Sequence, residues 1–316
     1  MTAIETVLIT GANAGLGKDA ARQLALVPGV KKIYLGCRNE EKAAAAKAEL
    51  EMSTGKKIFE FVRIDTSNLD TVHAAVESIQ GPVDGVILNA GGAGGSTAGD
   101  LTADGVIGSF AVNVLGHVAL VEGLIDAGKL RGTVLYVGSE ASRGIPAMRM
   151  ARPALKVSSI DEFATIADGS MFPKFDAMGA YGLVKYVGTL WTSSMSRKHP
   201  DIRFITVSPG MTTGTNAAEE VGPFQRFMFK RIAFPLMTLF GRAHGLEDGA
   251  ERYIKVLTDD SYDSGRFYAS PWPSTSGELV DQATIFADLD NEEYQENAYQ
   301  AVHRFLPPAG QAKPAH

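Results

Sequence analysis

The sequence predicts an α/β protein: one doubly wound domain with a mainly parallel, seven-stranded sheet and helices on both faces. Two observations carry this. Apolar runs of strand length alternate with segments of helical period as far as about residue 268, the pattern of strand–helix–strand units joined by right-handed crossovers. The first apolar run, Val7-Leu8-Ile9, also leads into a glycine turn that opens a helix.

Taken in order, Val7, Leu8 and Ile9 suit a strand buried on both faces. Gly11 then permits a tight turn, Gly15 lets the backbone approach a pyrophosphate, and Gly17 lets the helix over 18–27 pack close to the strand. Free N–H groups at the helix start face the phosphates. Residues 32–37 form a second strand, and Asn39 caps a helix over 39–52 rich in Ala, Glu and Lys. A strand at 58–64, a helix at 69–79 and a strand at 83–88 follow, the last running into Asn89-Ala90-Gly91-Gly92. A long helix over about 103–127 precedes a strand at 133–137. The rhythm breaks at about 142–179, where Pro146, Pro153, Pro173 and several methionines mark an insertion. A helix at 180–198 leads to a strand at 203–207 that ends in Pro209-Gly210. A second insertion spans about 216–244. A helix at 247–257, a strand at 265–268 and a helix at 292–305 complete a single domain over 1–306, with 307–316 as a flexible tail.

Bulk properties narrow the function. A hydrophobic content of 45% is ample for a large core, and a net charge of −6 argues against nucleic acid as a partner. Cys37 is the only cysteine, which excludes an intrachain disulfide and a cysteine-based zinc cage, and no metal site is expected. The first strand leaves no room for a signal peptide. The longest apolar run outside the strands, 232–240, contains Pro235 and falls far short of the ~20 residues that span a bilayer. The expectation is a cytoplasmic protein, or one of an organelle matrix if a targeting segment is missing.

Tyr181 and Lys185 stand four apart, on one face of the helix after the first insertion. A phenol is a poor acid–base group at neutral pH, but a nearby ammonium stabilises the phenolate and makes proton transfer to an alkoxide or carbonyl oxygen feasible. At the end of the second strand, about 20 residues past the glycine turn, a site specific for NAD places a carboxylate. Here Gly36-Cys37-Arg38 offers none, and a guanidinium can bind a 2′-phosphate, so Arg38 argues for NADP(H). The alternative is a solvated arginine paired with Glu40 or Glu41.

Gly11-x-x-x-Gly15-x-Gly17, Asn89-Ala90-Gly91, Asn113, Ser139, Tyr181-x-x-x-Lys185 and Pro209-Gly210 occur in this order with fitting elements between them. The chain resembles the short-chain dehydrogenase/reductase family from Val7 to about Tyr268. The resemblance implies a Rossmann fold and hydride transfer between nicotinamide and a carbonyl or alcohol carbon. It makes Tyr181 the catalytic acid/base, with Lys185 lowering its pKa and holding the nicotinamide ribose. Ser139, favoured over Ser142, would orient the substrate oxygen, and Asn113 would position a water that relays protons to Lys185. Asn13, Leu16, Asn89, Ala90, Gly91, Pro209 and Gly210 join the glycines and Arg38 as cofactor-binding positions, and Asp65 matches the family's acid at the adenine amino group.

Within the family, the long stretch between Ser139 and Tyr181, the start of the second helix (GCRNEEKA) and runs such as VSPGMTTGT look similar to light-dependent protochlorophyllide oxidoreductases, retinol dehydrogenases and some monomeric carbonyl reductases. The active helix departs from the protochlorophyllide group: Val187 stands where that group has a cysteine, and Leu183 and Val184 replace polar residues. The expected function is therefore an NADP(H)-dependent oxidoreductase of a bulky, largely apolar carbonyl or alcohol. The alternatives are a protochlorophyllide-type C=C reductase and a non-catalytic nucleotide-sensing module, whose expected mark would be loss of Tyr181 or Lys185. Phe224, Phe227, Met228, Phe229, Phe234, Met237 and Phe240 read as a lid over the substrate, as a packed helix, or, with Arg226, Lys230 and Arg231, as a peripheral membrane contact. The first insertion would cover the helix face that related proteins use to dimerise, which favours a monomer.

Overall fold

A computed structural model describes residues 4–213 and 243–307. The second insertion, with its lid, packed-helix and membrane-contact readings, therefore lies outside the described residues except for its last two positions, as do tail residues 308–316.

The strands are β1 (Thr6–Thr10), β2 (Lys32–Cys37), β3 (Phe59–Arg63), β4 (Val83–Leu88), β5 (Leu130–Val137), β6 (Ile202–Val207), β7 (Phe267–Ala269) and β8 (Val280–Asp281). They form one eight-stranded sheet in the order β3-β2-β1-β4-β5-β6-β7-β8. All neighbours pair in parallel except β7 and β8. The eighth strand is an addition to the expected seven: two residues, set antiparallel through Tyr268↔Asp281 and Ala269↔Val280, too short to leave a pattern in the sequence.

The chain builds outward from β1 to β3, then returns to place β4 on the other side of β1. In an open parallel sheet this reversal opens a crevice at the carboxyl ends of the strands, where ligands bind. The turns after β1 and β4 flank it. Alternate strand residues fill two cores. Leu8, Tyr34, Val86 and Val134 join Leu115, Val118, Phe163, Leu190 and Trp191 on one face. Val7, Ile9, Leu35, Ile87 and Leu135 join Ala20, Leu24, Leu50, Tyr253 and Val256 on the other.

The helices are α1 (Gly15–Leu24), α2 (Glu40–Thr54), α3 (Leu69–Ser78), α4 (Gly108–Asp126), α5 (Ile160–Ala167), α6 (Ala177–Lys198), α7 (Leu246–Thr258) and α8 (Glu292–His303). Asn39 caps α2 as expected, accepting from the Lys42 N–H at 2.8 Å. Three expectations shift. Helix α1 begins at Gly15, inside the glycine turn, and ends before Pro28-Gly29. The long helix starts at 108 rather than 103, because Gly105 turns with φ +78° and Leu101 bridges Ile107. The first insertion holds a helix of its own, α5, and ends at Asp176, which caps α6 through the Gly179 N–H at 2.9 Å. Helix α5 was hidden by its eight-residue length among prolines. It is held by Ser159 at its N-cap and by the Glu162 carboxylate, which accepts from the N–H groups of Lys156, Val157 and Ser158.

Among the described residues, α4 is long and apolar enough to span a bilayer, but 72% of that stretch is buried inside the fold. It is a core helix packed between α3 and α6. Residues 111–115 within it form a π-turn, which wedges one extra residue into the helix and is frequent at functional sites.

Candidate active site

The glycine turn closes on itself and on the end of β4. The Gly11 N–H donates to Gly36 O at 2.7 Å. The Asn89 amide donates to Thr10 O at 2.9 Å, and the Ala90 N–H to Thr10 Oγ1 at 2.9 Å. A Cβ at Gly17 would sit 2.5 Å from both Gly11 O and Asn89 Nδ2, so only glycine fits there. Nothing lies within 4 Å of the same point at Gly15. That bare backbone opens on free space beside the start of α1, which has no side-chain cap and no acid in its first turn. The cradle thus has the space a pyrophosphate needs, at a helix start whose N–H groups no side chain caps. Asn13 and Leu16 are half-buried beside it.

Arg38 follows buried Cys37 at the end of β2, is exposed, and forms no ion pair with the described residues, Glu40 and Glu41 included. Asp65 accepts from the Ser67 N–H at 3.0 Å and the Ser67 hydroxyl at 2.6 Å. The carboxylate therefore braces the turn into α3.

The expected catalytic residues converge at the carboxyl ends of β4, β5 and β6. Lys185 is 2% exposed, and its ammonium donates to Val137 O at 2.9 Å. Its Nζ lies 5.8 Å from the centre of the half-buried Tyr181 ring. Ser139 stands beside Tyr181 and caps the turn Glu140–Arg143 through the Ala141 N–H at 3.1 Å. Ser142, the rival, is buried and donates to Ser139 O at 2.7 Å. Asn113 sits in the π-turn, its amide donating to Gly92 O at 2.9 Å and Ser109 O at 2.8 Å and its Oδ1 accepting from Gly92 N at 3.1 Å. A Cβ at Gly91 would strike that Oδ1 at 2.3 Å. The Asn113 carbonyl accepts from Tyr136 Oη at 3.1 Å and lies 3.2 Å from His117 Nδ1.

Burial dominates the electrostatics. It pushes the Tyr181 phenol up to about 12, with Ser139 pulling the other way and the charge of Glu140 adding to the rise. It drives Lys185 down to about 7 and buried His117 to about 3. By burial alone the Lys185 amine gives up its proton at lower pH than the phenol does. Neutral His117 takes one tautomer. The Asn113 carbonyl can only accept, so the ring proton sits on Nδ1, leaving Nε2 as an acceptor 3.0 Å from Thr10 Oγ1.

Pro209-Gly210 turns beside α7. His244 Nε2 lies 2.6 Å from Pro209 O, and a Cβ at Gly210 would meet His244, Arg252 and Thr275 within 2.9 Å. Sequence reasoning missed Tyr136, Glu140, His117, His244 and Arg252. They meet partners far off in the chain, Thr10 for His117 and Ser208 and Ser270 for Glu140 among them.

A model of the short chain dehydrogenase family matches residues 5–156. Protochlorophyllide reductase B from Oryza sativa subsp. japonica is 28% identical over 88% of this chain and 71% of its own length. Retinol dehydrogenase 13 from Mus musculus is 27% identical over 81% and 76%. Salutaridine reductase from Papaver somniferum shares the fold at a TM-score of 0.59, with 17% identity over 83% of this chain and 99% of that one. Residues 5–156 thus match the short-chain dehydrogenase/reductase family, and relatives of that family resemble the chain over most of its length. The chain is an oxidoreductase of a family that uses a nicotinamide cofactor. The protochlorophyllide comparison also bears on the active helix. Val187 and Val184 are fully buried in the core, so packing sets their apolar character.

Proposed function

We propose that the chain is an NADP(H)-dependent oxidoreductase that reduces or forms a carbonyl on a bulky, largely apolar substrate. The observation that carries it is the meeting of Tyr181, Lys185, Ser139 and Asn113 beside the open glycine cradle. When bound, the nicotinamide supplies or accepts the hydride. Tyr181 gives its phenolic proton to the substrate oxygen in reduction, and Ser139 donates a hydrogen bond to the same oxygen. Lys185 holds the ribose and returns the proton to Tyr181.

The choice of NADP(H) rests on Arg38, left without a carboxylate partner where a 2′-phosphate would stand. A similar fission-yeast protein, NADP-dependent 3-hydroxy acid dehydrogenase, is 34% identical over 44% of this chain and agrees with it. The apolar substrate is supported by Leu101, Met148, Met178 and Trp272, large hydrophobic residues exposed on segments at the carboxyl edge of the sheet. The test is fluorescence titration with NADPH and NADH, then NADPH consumption with hydrophobic ketones, quinones and enals. Tighter binding of NADPH and turnover of a ketone are expected. NADH binding as tight as NADPH, or turnover of polar substrates alone, would refute the reading. The resemblance over 88% of the chain supports a second reading, protochlorophyllide-type C=C reduction.

A further inference from the structure

One turn of α4, residues 113–117, touches the chain at or just past the carboxyl ends of β1, β3, β4 and β5. Gly116 comes so close to the segment after β3 that a Cβ there would lie 2.0 Å from Thr66 O. Asn113 holds Gly92, after β4, through both Oδ1 and Nδ2. Tyr136 on β5 donates to Asn113 O at 3.1 Å. His117 is 0% exposed, with Nδ1 3.2 Å from Asn113 O and Nε2 3.0 Å from Thr10 Oγ1 at the end of β1. The same Thr10 oxygen accepts from the Ala90 N–H at 2.9 Å. No role above uses this imidazole.

We propose that His117 is a positioning residue for the cofactor: a neutral imidazole that joins the glycine cradle after β1 to the Ala90–Gly92 loop after β4 and so fixes the crevice between them. The inference rests on the nicotinamide-cofactor reading above. The bonds have a direction. With its proton on Nδ1, the ring donates to Asn113 O, and Nε2 accepts the Thr10 hydroxyl proton. The Thr10 oxygen then accepts from Ala90, and the Asn113 side chain takes hold of Gly92. One ring thus links two ties that end on either side of Gly91 and one residue before Gly11. An imidazolium would turn a second donor toward Thr10. It would also be buried beside Tyr136, whose ring stands edge-on at 6.3 Å, and in the field of the Lys185 amine, with burial the larger effect in holding it neutral. Without the ring, buried Thr10 and Asn113 each lose a partner, a loss that falls on the two walls of the crevice.

The first test needs neither variant nor cofactor. In protein labelled with 15N-histidine, the ring of residue 117, assigned through its backbone, should be neutral with its proton on Nδ1 from about pH 5.5 to 9. A ring that titrates in that range, or that carries its proton on Nε2, overturns the proposal. The second test uses His117→Leu, which removes both bonds, and His117→Asn, which keeps a donor for Asn113 O and gives up the reach to Thr10. Both are checked for folding by circular dichroism. His117→Leu should speed amide hydrogen exchange at Ala90 and Gly92 by about fivefold or more, and His117→Asn at Ala90 alone, while the amides of β5 and α6 exchange as in the parent. Exchange that is unchanged at Ala90 and Gly92, or raised evenly through the core, makes the residue merely structural and overturns the proposal. In a fluorescence titration, NADPH should bind His117→Leu about fivefold or more weakly than the parent, and His117→Asn between the two. A folded leucine variant, or in its place a folded asparagine variant, that binds as the parent does overturns the proposal. A parent that binds neither NADPH nor NADH would instead refute the cofactor reading and leave the tautomer and exchange results standing.

Discussion

At the scale of single residues, the site works by burial. Tyr181, pushed up to about 12, is a proton donor at neutral pH. Tyr181→Phe should lose most of kcat while binding NADPH within about twofold of the parent, and full turnover in that variant would remove the phenol from the chemistry. Replacing Arg38 with Asp should weaken NADPH binding by roughly 1.5–3 kcal/mol, the worth of a charged hydrogen bond, and turn preference toward NADH. An unchanged ratio of the two affinities would assign the 2′-phosphate to other residues. Lys185 makes a prediction about stability. Its folded value of about 7 lies below its ordinary 10.5. As pH falls from 10.5 toward 7, the unfolded chain takes up a proton that the folded one refuses, and the fold is destabilised by about 1.4 kcal/mol per unit. Below about 7 the loss is constant. Without cofactor, Lys185→Met should therefore gain stability over the parent as pH drops through that window, read as a widening gap in Tm. A gap independent of pH would mean that the ammonium stays charged in the fold. Tyr181 and Lys185 were legible because four positions on a helix is a local relation. Glu140 was not, since its partners stand 68 and 130 positions away.

At the scale of elements, missing side chains decide how closely the pieces approach. A Cβ at Gly188 on α6 would lie 2.2 Å from Tyr136 Oη and 2.3 Å from Tyr136 Cζ. This contact sets the catalytic helix against β5. Gly188→Ala should destabilise the fold by about 1–3 kcal/mol through overpacking, measured by urea unfolding, and should cost turnover as Lys185 is displaced. An alanine variant as stable and active as the parent would show that helix and strand have slack there. Strands and most helices could be read from apolar period and caps, with Asn39 the plainest case. Helix α5 and β8 could not, because eight and two residues are too few to establish a period. The π-turn at 111–115 was also invisible, since one extra residue in a long apolar helix leaves its composition unchanged.

At the scale of the whole molecule, the fold is what the chain shares with its relatives, and in open α/β sheets ligands bind outside the carboxyl ends of the strands. No light-dependent reduction of protochlorophyllide is expected. The only thiol, Cys37, is buried at the end of β2 and pushed up to about 11 by burial. Protein, NADPH and pigment mixed in the dark and then illuminated should give no red-shifted product; one that forms only in light and only with protein would restore the photoenzyme. Helix α4 has a further consequence, which concerns time rather than shape. Its apolar length is hidden in the finished fold by α3, made before it, and by α6, which emerges from the ribosome only after the whole first insertion. A nascent chain stopped inside that insertion would display a stretch that membranes and chaperones both recognise. Truncations ending between residues 127 and 176 should therefore be insoluble or chaperone-bound when expressed, although every strand of the glycine cradle is already complete.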